Sequence, residues 1–319
     1  MRQKVKIVLR AVLPSAFFLL TAAVMVGAAE ILGEKEIIFP EAGAIALGAL
    51  AAPRLAWRTD KRSVFFLIGI CACAGVLIVL YLPLPLAWQL IAAYLFGQAV
   101  LLASRTTFAP LISAAVLPVL LQTRSPVYLA AALALTALVL LLRSALEGLG
   151  LRPRERFVPL SPSGADWADL WPRTLVAALL CLLAVGSGWL YLVCPPLLVA
   201  FTEFTRAGNR AMRTPARSAA FLALSAACGA VARGVFCLLF GLPLALAAAA
   251  ACAVVLALAA CMKLFLPPAA ALALLAMLVP AEALAAYALQ AAAGAALYTA
   301  FACAAFHPPI AGAALRSAK

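Results

Sequence analysis

The sequence predicts an all-α protein: a polytopic transmembrane helical bundle of two tandem, parallel-oriented repeats of about six membrane segments each, including short proline-broken helices. Three observations carry that expectation. Apolar residues fill 67% of the 319 positions and charged residues only 11%, with a mean hydropathy of +1.13. A water-soluble domain of this size cannot hide so much apolar surface, whereas a protein surrounded by lipid need not. Runs of about 20 apolar residues, long enough to cross a bilayer, recur along the whole chain. The order of long and short runs in the first half then returns in the second.

In the first half the runs cover 9–32, 37–53, 63–83, 86–104, 106–123 and 126–146, the second and fifth being short. In the second half they cover 173–193, 195–208, 218–240, 243–262, 264–280 and 283–305, again with the second and fifth short. The expected organisation is therefore a first transmembrane repeat over 1–146, a cytoplasmic or interfacial linker over 147–172 and a second repeat over 173–319. The linker is too short to bury a core of its own. Its Asp166-Trp167-Ala168-Asp169-Leu170-Trp171 stretch reads as an interfacial segment anchored by tryptophans. The first thirty residues share features with a signal peptide, but the run is long and the second half opens on a comparable one, so an uncleaved first span is expected.

Landmarks hold a nearly constant offset between the halves. Arg58-Thr59-Asp60-Lys61-Arg62-Ser63 matches Arg213-Thr214-Pro215-Ala216-Arg217-Ser218 at 155, as Pro40 matches Pro195. Arg105 matches Lys263 and Pro110 matches Pro268 at 158. An internal duplication explains four such landmarks in otherwise Ala-rich sequence.

The net charge of +13 invites a nucleic-acid reading, but the basic residues fall between apolar runs rather than on one face or tail, so no nucleic-acid partner is expected. They read as topology markers. With the N-terminus inside and every run crossing, 21 of the 24 Lys and Arg residues fall on the cytoplasmic side, where such residues accumulate. Lys35 and Arg124 fall outside, and Arg233 falls within a run. The expected location is the cell (inner) membrane, with both termini cytoplasmic. Six segments per half, an even number, make the two halves parallel rather than inverted.

Each short run opens or breaks at proline: Pro40, Pro110, Pro195-Pro196 and Pro267-Pro268. Proline lacks an N–H and disfavours helix in the residue before it, so a helix starting there leaves unpaired N–H groups at a positive dipole end. Within a membrane such an end belongs in protein or beside a wet cavity, and short helices at matching positions of two repeats point to a transporter's binding site. Arg105-Thr106-Thr107 and Lys263 place a cation before two of these helices, either as an anion-attracting entrance or as ordinary topology markers. Glu41 follows Pro40, where a carboxylate suits the first helical turn or carries a coupling proton. Thr202, Glu203 and Thr205 beside Arg206 read as a local ion-pair cluster. Arg233, mid-run, is the first candidate to contact a substrate anion; the alternatives are snorkelling to an edge or pairing with a carboxylate such as Glu203.

Nothing in the sequence points to catalytic residues, a metal site or a cofactor. The nine cysteines form no CxxC pair and lie mostly within apolar runs, and His307 is the only histidine, whereas a metal site needs several ligands. A lipid-acting intramembrane enzyme would need a paired nucleophile and base, so the chain is expected not to be an enzyme.

The segment Lys263-Leu264-Phe265-Leu266-Pro267-Pro268-Ala269-Ala270-Ala271-Leu272-Ala273-Leu274-Leu275 resembles the HPP family of integral membrane proteins, in which a basic residue leads into His-Pro-Pro and a Gly/Ala-rich helix. Leu266 stands in the position of the family's histidine. Arg105-Thr106-Thr107-Phe108-Ala109-Pro110 fits more loosely, with Phe108 in that position. The resemblance covers about 195–305, with the first half as a diverged copy; the literal His307-Pro308-Pro309 lies past the last run. What the resemblance implies is transport of a small anion such as nitrite, the activity associated with plant chloroplast and cyanobacterial members. The expected function is a passive or ion-coupled permease for a small solute, bound between the repeats, with the lipid bilayer as its surroundings. A non-transporting scaffold or partner subunit is the alternative. Ala-rich spans also permit close association of copies, so a homo-oligomer fits the sequence.

Overall fold

Proline and short polar caps decide where most helices begin. The computed structural model describes residues 2–307. The first repeat holds α1 (Arg2–Leu32), α2 (Pro40–Ala46, continued by a π turn, Leu47–Ala51), α3 (Lys61–Tyr81), α4 (Leu86–Ala103), α5 (Pro110–Leu121) and α6 (Pro126–Gly148). A short α7 (Gly164–Ala168) lies in the linker. The second repeat holds α8 (Leu170–Ser187), α9 (Pro195–Phe204), α10 (Pro215–Arg233, continued by a π turn, Gly234–Leu239), α11 (Leu244–Met262), α12 (Pro268–Leu275) and α13 (Leu284–Phe306). Six of these open with proline, whose missing N–H would be unpaired there anyway. Asp60 starts α3 by accepting the Ser63 amide at 2.6 Å.

Among the described residues, eight helical segments are long and apolar enough to cross a membrane. Their outward faces carry Phe66, Ile70, Leu141, Leu179, Leu183 and Val231, all largely exposed. Exposed apolar surface on this scale suits lipid and not water, so the chain is a multi-pass membrane protein. The four short helices are different. α2, α9 and α12 are buried along their whole length, as is α5 through Val119. At 1.5 Å per residue they reach about 12–18 Å, roughly half of a bilayer's hydrocarbon core. Irregular segments on either side complete the passage from one face of the bundle to the other.

The two repeats interlock through a common set of contacts. α3 packs on α5 and α6 as α10 packs on α12 and α13. Between the halves, α1 packs on α11 as α8 packs on α4, and α2 packs on α12 as α9 packs on α5. Side-chain detail repeats at a similar spacing, between 154 and 159. Tyr128 donates to the Ala114 carbonyl at 3.0 Å, and Tyr287 donates to Leu272. Gly75 lets α3 approach the Ala115 carbonyl, and Gly229 lets α10 approach that of Ala273. Arg105 and Lys263 both take left-handed backbone, with φ of 55° and 50°. A pseudo-two-fold axis therefore relates the halves. Equivalent basic loops meet on one face, where Arg54, Thr107, Arg206, Arg210 and Lys263 line one recess, so the repeats are parallel. Glu36 with Thr123 and Glu30 with the start of α11 mark the opposite face.

Some boundaries differ from the sequence reading. The predicted run at 173–193 divides into α8, which starts earlier at Leu170, and a separate turn, Leu190–Val193, because Gly188 at φ 74° ends the helix. Pro308, Pro309, Arg316 and Lys319 lie outside the described residues.

Candidate functional site

Four helix starts converge on the pseudo-two-fold axis. A cavity of about 10 Å³ is lined by Glu41 and Ala44 of α2, Pro110 and Ser113 of α5, Pro196 and Val199 of α9, and Pro268 and Ala271 of α12. These are four pairs of equivalents: Glu41 with Pro196, Ala44 with Val199, Pro110 with Pro268 and Ser113 with Ala271. Each residue lies in or beside the first turn of its helix, so the positive dipole ends of all four face one point. Polar chemistry at that point comes from the first repeat alone. Glu41 is 1% exposed, its Oε1 accepts the Ser113 hydroxyl, and its Oε2 has no hydrogen-bond partner.

The opposite ends of the short helices also find partners. Leftover carbonyls at a helix C-terminus attract cations and donors. At the end of α2, Arg143 donates to Ala49 (2.6 Å), and Arg152 to Leu50 and Ala51 (both 2.9 Å). Gln122 donates to Val119 of α5 at 2.8 Å. Asn209 donates to Glu203 of α9, and His307 Nε2 lies 2.6 Å from the Phe204 carbonyl. Arg233 donates to Ala276 at 2.7 Å and to Val279, just past α12.

Two recesses open on the basic face. One, about 580 Å³, is lined by Arg54, Trp57, Glu203, Arg206, Arg210 and Lys263 among others. The other, about 370 Å³, is lined by Arg58, Gln98, Arg105, Arg173, Arg206 and two linker carboxylates, Asp166 and Asp169, among others. They are related by the pseudo-symmetry, since Lys263 and Ala52 in the first stand where Arg105 and Ala207 stand in the second. The linker crosses the second, with Leu160 N–H bonded to the Arg105 carbonyl at 2.9 Å. Arg206 lines both and donates to the Thr107 carbonyl at 3.0 Å. Burial pushes its guanidinium down to about 10, which leaves it cationic at neutral pH. Inside the second recess, Arg173 Nε and Gln98 Oε1 are buried without a hydrogen-bond partner.

The residues singled out from sequence divide between these places. Pro40, Glu41, Pro110, Pro195, Pro196, Pro267 and Pro268 are buried at the convergent helix starts. Arg105, Thr106 and Thr107 line one recess, and Thr107, Lys263 and Pro267 the other. Thr107 is also a joint, because its amide and hydroxyl bond to the Arg58 backbone at 3.2 and 2.8 Å.

Arg233 is the main departure. It is half-buried at the last turn of α10, bonded to the carbonyls beyond α12, and lines none of the cavities described above. Sequence position could not separate a mid-run cation from one terminating a neighbouring helix. The expected Glu203–Arg206 ion pair is also replaced. Glu203 Oε1 accepts the Trp57 indole N–H at 2.9 Å, while Arg206 turns to Thr107. Sequence reasoning missed Ser113, Trp57, Arg143 and Arg152 as functional or organising residues. For Ser113 the signal was present: it is a lone hydroxyl three residues after Pro110.

Among the described residues no group of three or more His, Cys, Asp or Glu side chains could hold a metal ion. Comparison of the chain with protein-family models, with curated proteins and with solved structures found no match.

Proposed function

We propose that this chain is a membrane permease for a small solute, with small inorganic or organic anions such as nitrite as the substrate class. The observation that carries the reading is the meeting of four half-length helices, from matching positions of two repeats, at one cavity on the pseudo-two-fold axis. Helix starts of this kind recur at transporter sites near the bilayer midplane. The two arginine-rich recesses on the basic face supply a positive field that gathers anions before entry. The resemblance of 195–305 to the HPP family points the same way. At about 10 Å³ the axial cavity admits no solute larger than water, so this is a conformation closed at its centre. The same closure favours a second reading, a non-transporting scaffold whose proline helices are structural.

Reconstituted in liposomes, the protein is expected to conduct nitrite, nitrate or formate. Arg206→Ala should lower the flux about tenfold at low ionic strength and less at high salt, as expected for electrostatic gathering. Absence of flux for every small anion would establish the scaffold reading.

The basic face belongs to the cytoplasm in this proposal. A cysteine at Arg156 should then react with an impermeant thiol reagent only after cells are permeabilised, and one at Glu34 in intact cells. The reverse pattern overturns the orientation.

A further inference from the structure

Glu41 sits where a carboxylate is hardest to keep charged. It is buried among apolar residues at the centre of a membrane bundle, and no Lys, Arg or His among the described residues forms an ion pair with it. The elements packed around it offer little else. On α6 it faces Tyr128, whose hydroxyl is committed to the Ala114 carbonyl. Before α9 it faces the Cys194 thiol. Along α5 and α12 there is no titratable residue, and Glu30 of α1 is held at the bundle's outer rim by the backbone of α11. Tyr128 and Cys194 are uncharged at ordinary pH. An ionisable group in such surroundings neutralises itself by taking up a proton, or else needs a bound cation.

The geometry selects between these. A hard cation such as Mg2+ or Ca2+ asks for about six or more oxygen ligands, whereas the cavity offers the oxygens of Glu41 and Ser113 among prolines, alanines and a valine. The available space is about that of one water molecule. A proton needs neither. Glu41 lines the cavity with its Oε2 free of any hydrogen-bond partner, and the four helix starts around it favour the ionised form against the effect of burial. Opposed influences of that kind leave both protonation states within reach, which a carrier requires.

We propose that Glu41, bonded to Ser113 on the pseudo-two-fold axis, is a proton-binding site whose loading and release couple proton movement to solute movement. The coupling rests on the permease reading; the proton site does not. A proton arriving from one side adds to Oε2 without other bond changes and leaves to the other side when the axis opens there. One proton is carried per chain, because the counterparts of Glu41 and Ser113 are Pro196 and Ala271.

The test is infrared difference spectroscopy on the full chain in lipid, wild type against Glu41→Gln, followed by nitrite and formate flux under an imposed pH gradient. The expected result is a protonated-carboxyl band at neutral pH that is absent in Glu41→Gln and disappears on alkaline titration. In Ser113→Ala the band should move to higher frequency, a readout that survives if Glu41→Gln does not fold. A pH gradient should drive accumulation in wild type and lose its effect in Glu41→Gln. Absence of the band, or no response of it to Ser113→Ala, overturns the proton site. The band without any flux supports the site and overturns the permease reading. Flux indifferent both to the gradient and to Glu41→Gln overturns the coupling.

Discussion

Replacing Arg143 with methionine is expected to destabilise the protein by about 3–5 kcal/mol, the cost of breaking a buried ion pair from one side. Arg143 is 2% exposed on α6, and each of its three guanidinium nitrogens has a partner. Nε meets Glu147 at 2.8 Å, and the two terminal nitrogens donate to the Ala49 carbonyl at 2.6 Å and the Pro153 carbonyl at 2.7 Å. Methionine fills similar volume but supplies none of those donors. Glu147 would keep only Lys61, at 2.6 Å and partly exposed, and the last turn of α2 would lose one of its two arginine caps. Because α2 is buried against α1, α5, α6 and α12, its loosening reaches the axis. Thermal unfolding in detergent should show a clear fall in Tm for Arg143→Met, partly restored by adding Glu147→Gln, which removes the stranded charge. A single variant as stable as wild type would show that the end of α2 is held by its apolar surroundings alone.

That prediction separates what the sequence disclosed from what it withheld. Proline at 40, 110, 195 and 268 fixed the starts of all four short helices, because a missing N–H and a constrained φ act locally. A spacing of 155 to 159 links the matched loops, the Tyr128 and Tyr287 bonds and the residues of the axial cavity, so the duplication was legible in outline. Partners across the bundle were not. Lipid-facing and core-facing sides are both apolar here, so periodicity says little about which face of a helix is inward. Arg143, Arg152 and Arg233 look like topology markers or substrate ligands in one dimension, while in three they close the carbonyl ends of helices far away in sequence. The Glu41–Ser113 contact spans two segments that nothing local connects. Arg105, Thr107 and Lys263 were legible because they directly precede the proline helices and so share their placement.

Substituting alanine for Gly229 or for Gly75 should be destabilising in both repeats alike, by about 1–3 kcal/mol or more, although alanine is ordinarily the better helix former. At Gly229 an added Cβ would fall 2.2 Å from the Ala273 carbonyl oxygen and 2.8 Å from the Ala273 Cα. At Gly75 it would fall 2.3 Å from the Ala115 oxygen and 2.5 Å from Pro118 Cγ. The obstructing atoms are backbone or a proline ring, so no flexible side chain can yield. α12 and most of α5 are enclosed on every side and have no lipid into which to retreat. Small residues permit this close approach in membranes, where water supplies no force between helices and van der Waals contact does more of the holding. Gly186 of α8 provides the opposite sign. Nothing lies within 4 Å of its added Cβ, so Gly186→Ala should be neutral or stabilising by up to about 1 kcal/mol. Three melting curves decide the matter. If all three variants match wild type, α3 and α10 do not press on α5 and α12 as described. If only Gly75 and Gly229 lose stability, and by similar amounts, the two repeats clamp their inner helices in the same way. The first turns of α5 and α12 carry Pro110, Ser113, Pro268 and Ala271, so pressing either helix away from α3 or α10 would disturb the axial cavity and move Ser113 or Ala271 relative to Glu41. The two glycines therefore set where the inner helix of each half stands at the cavity through which, in the proposed permease, a solute and its proton would pass.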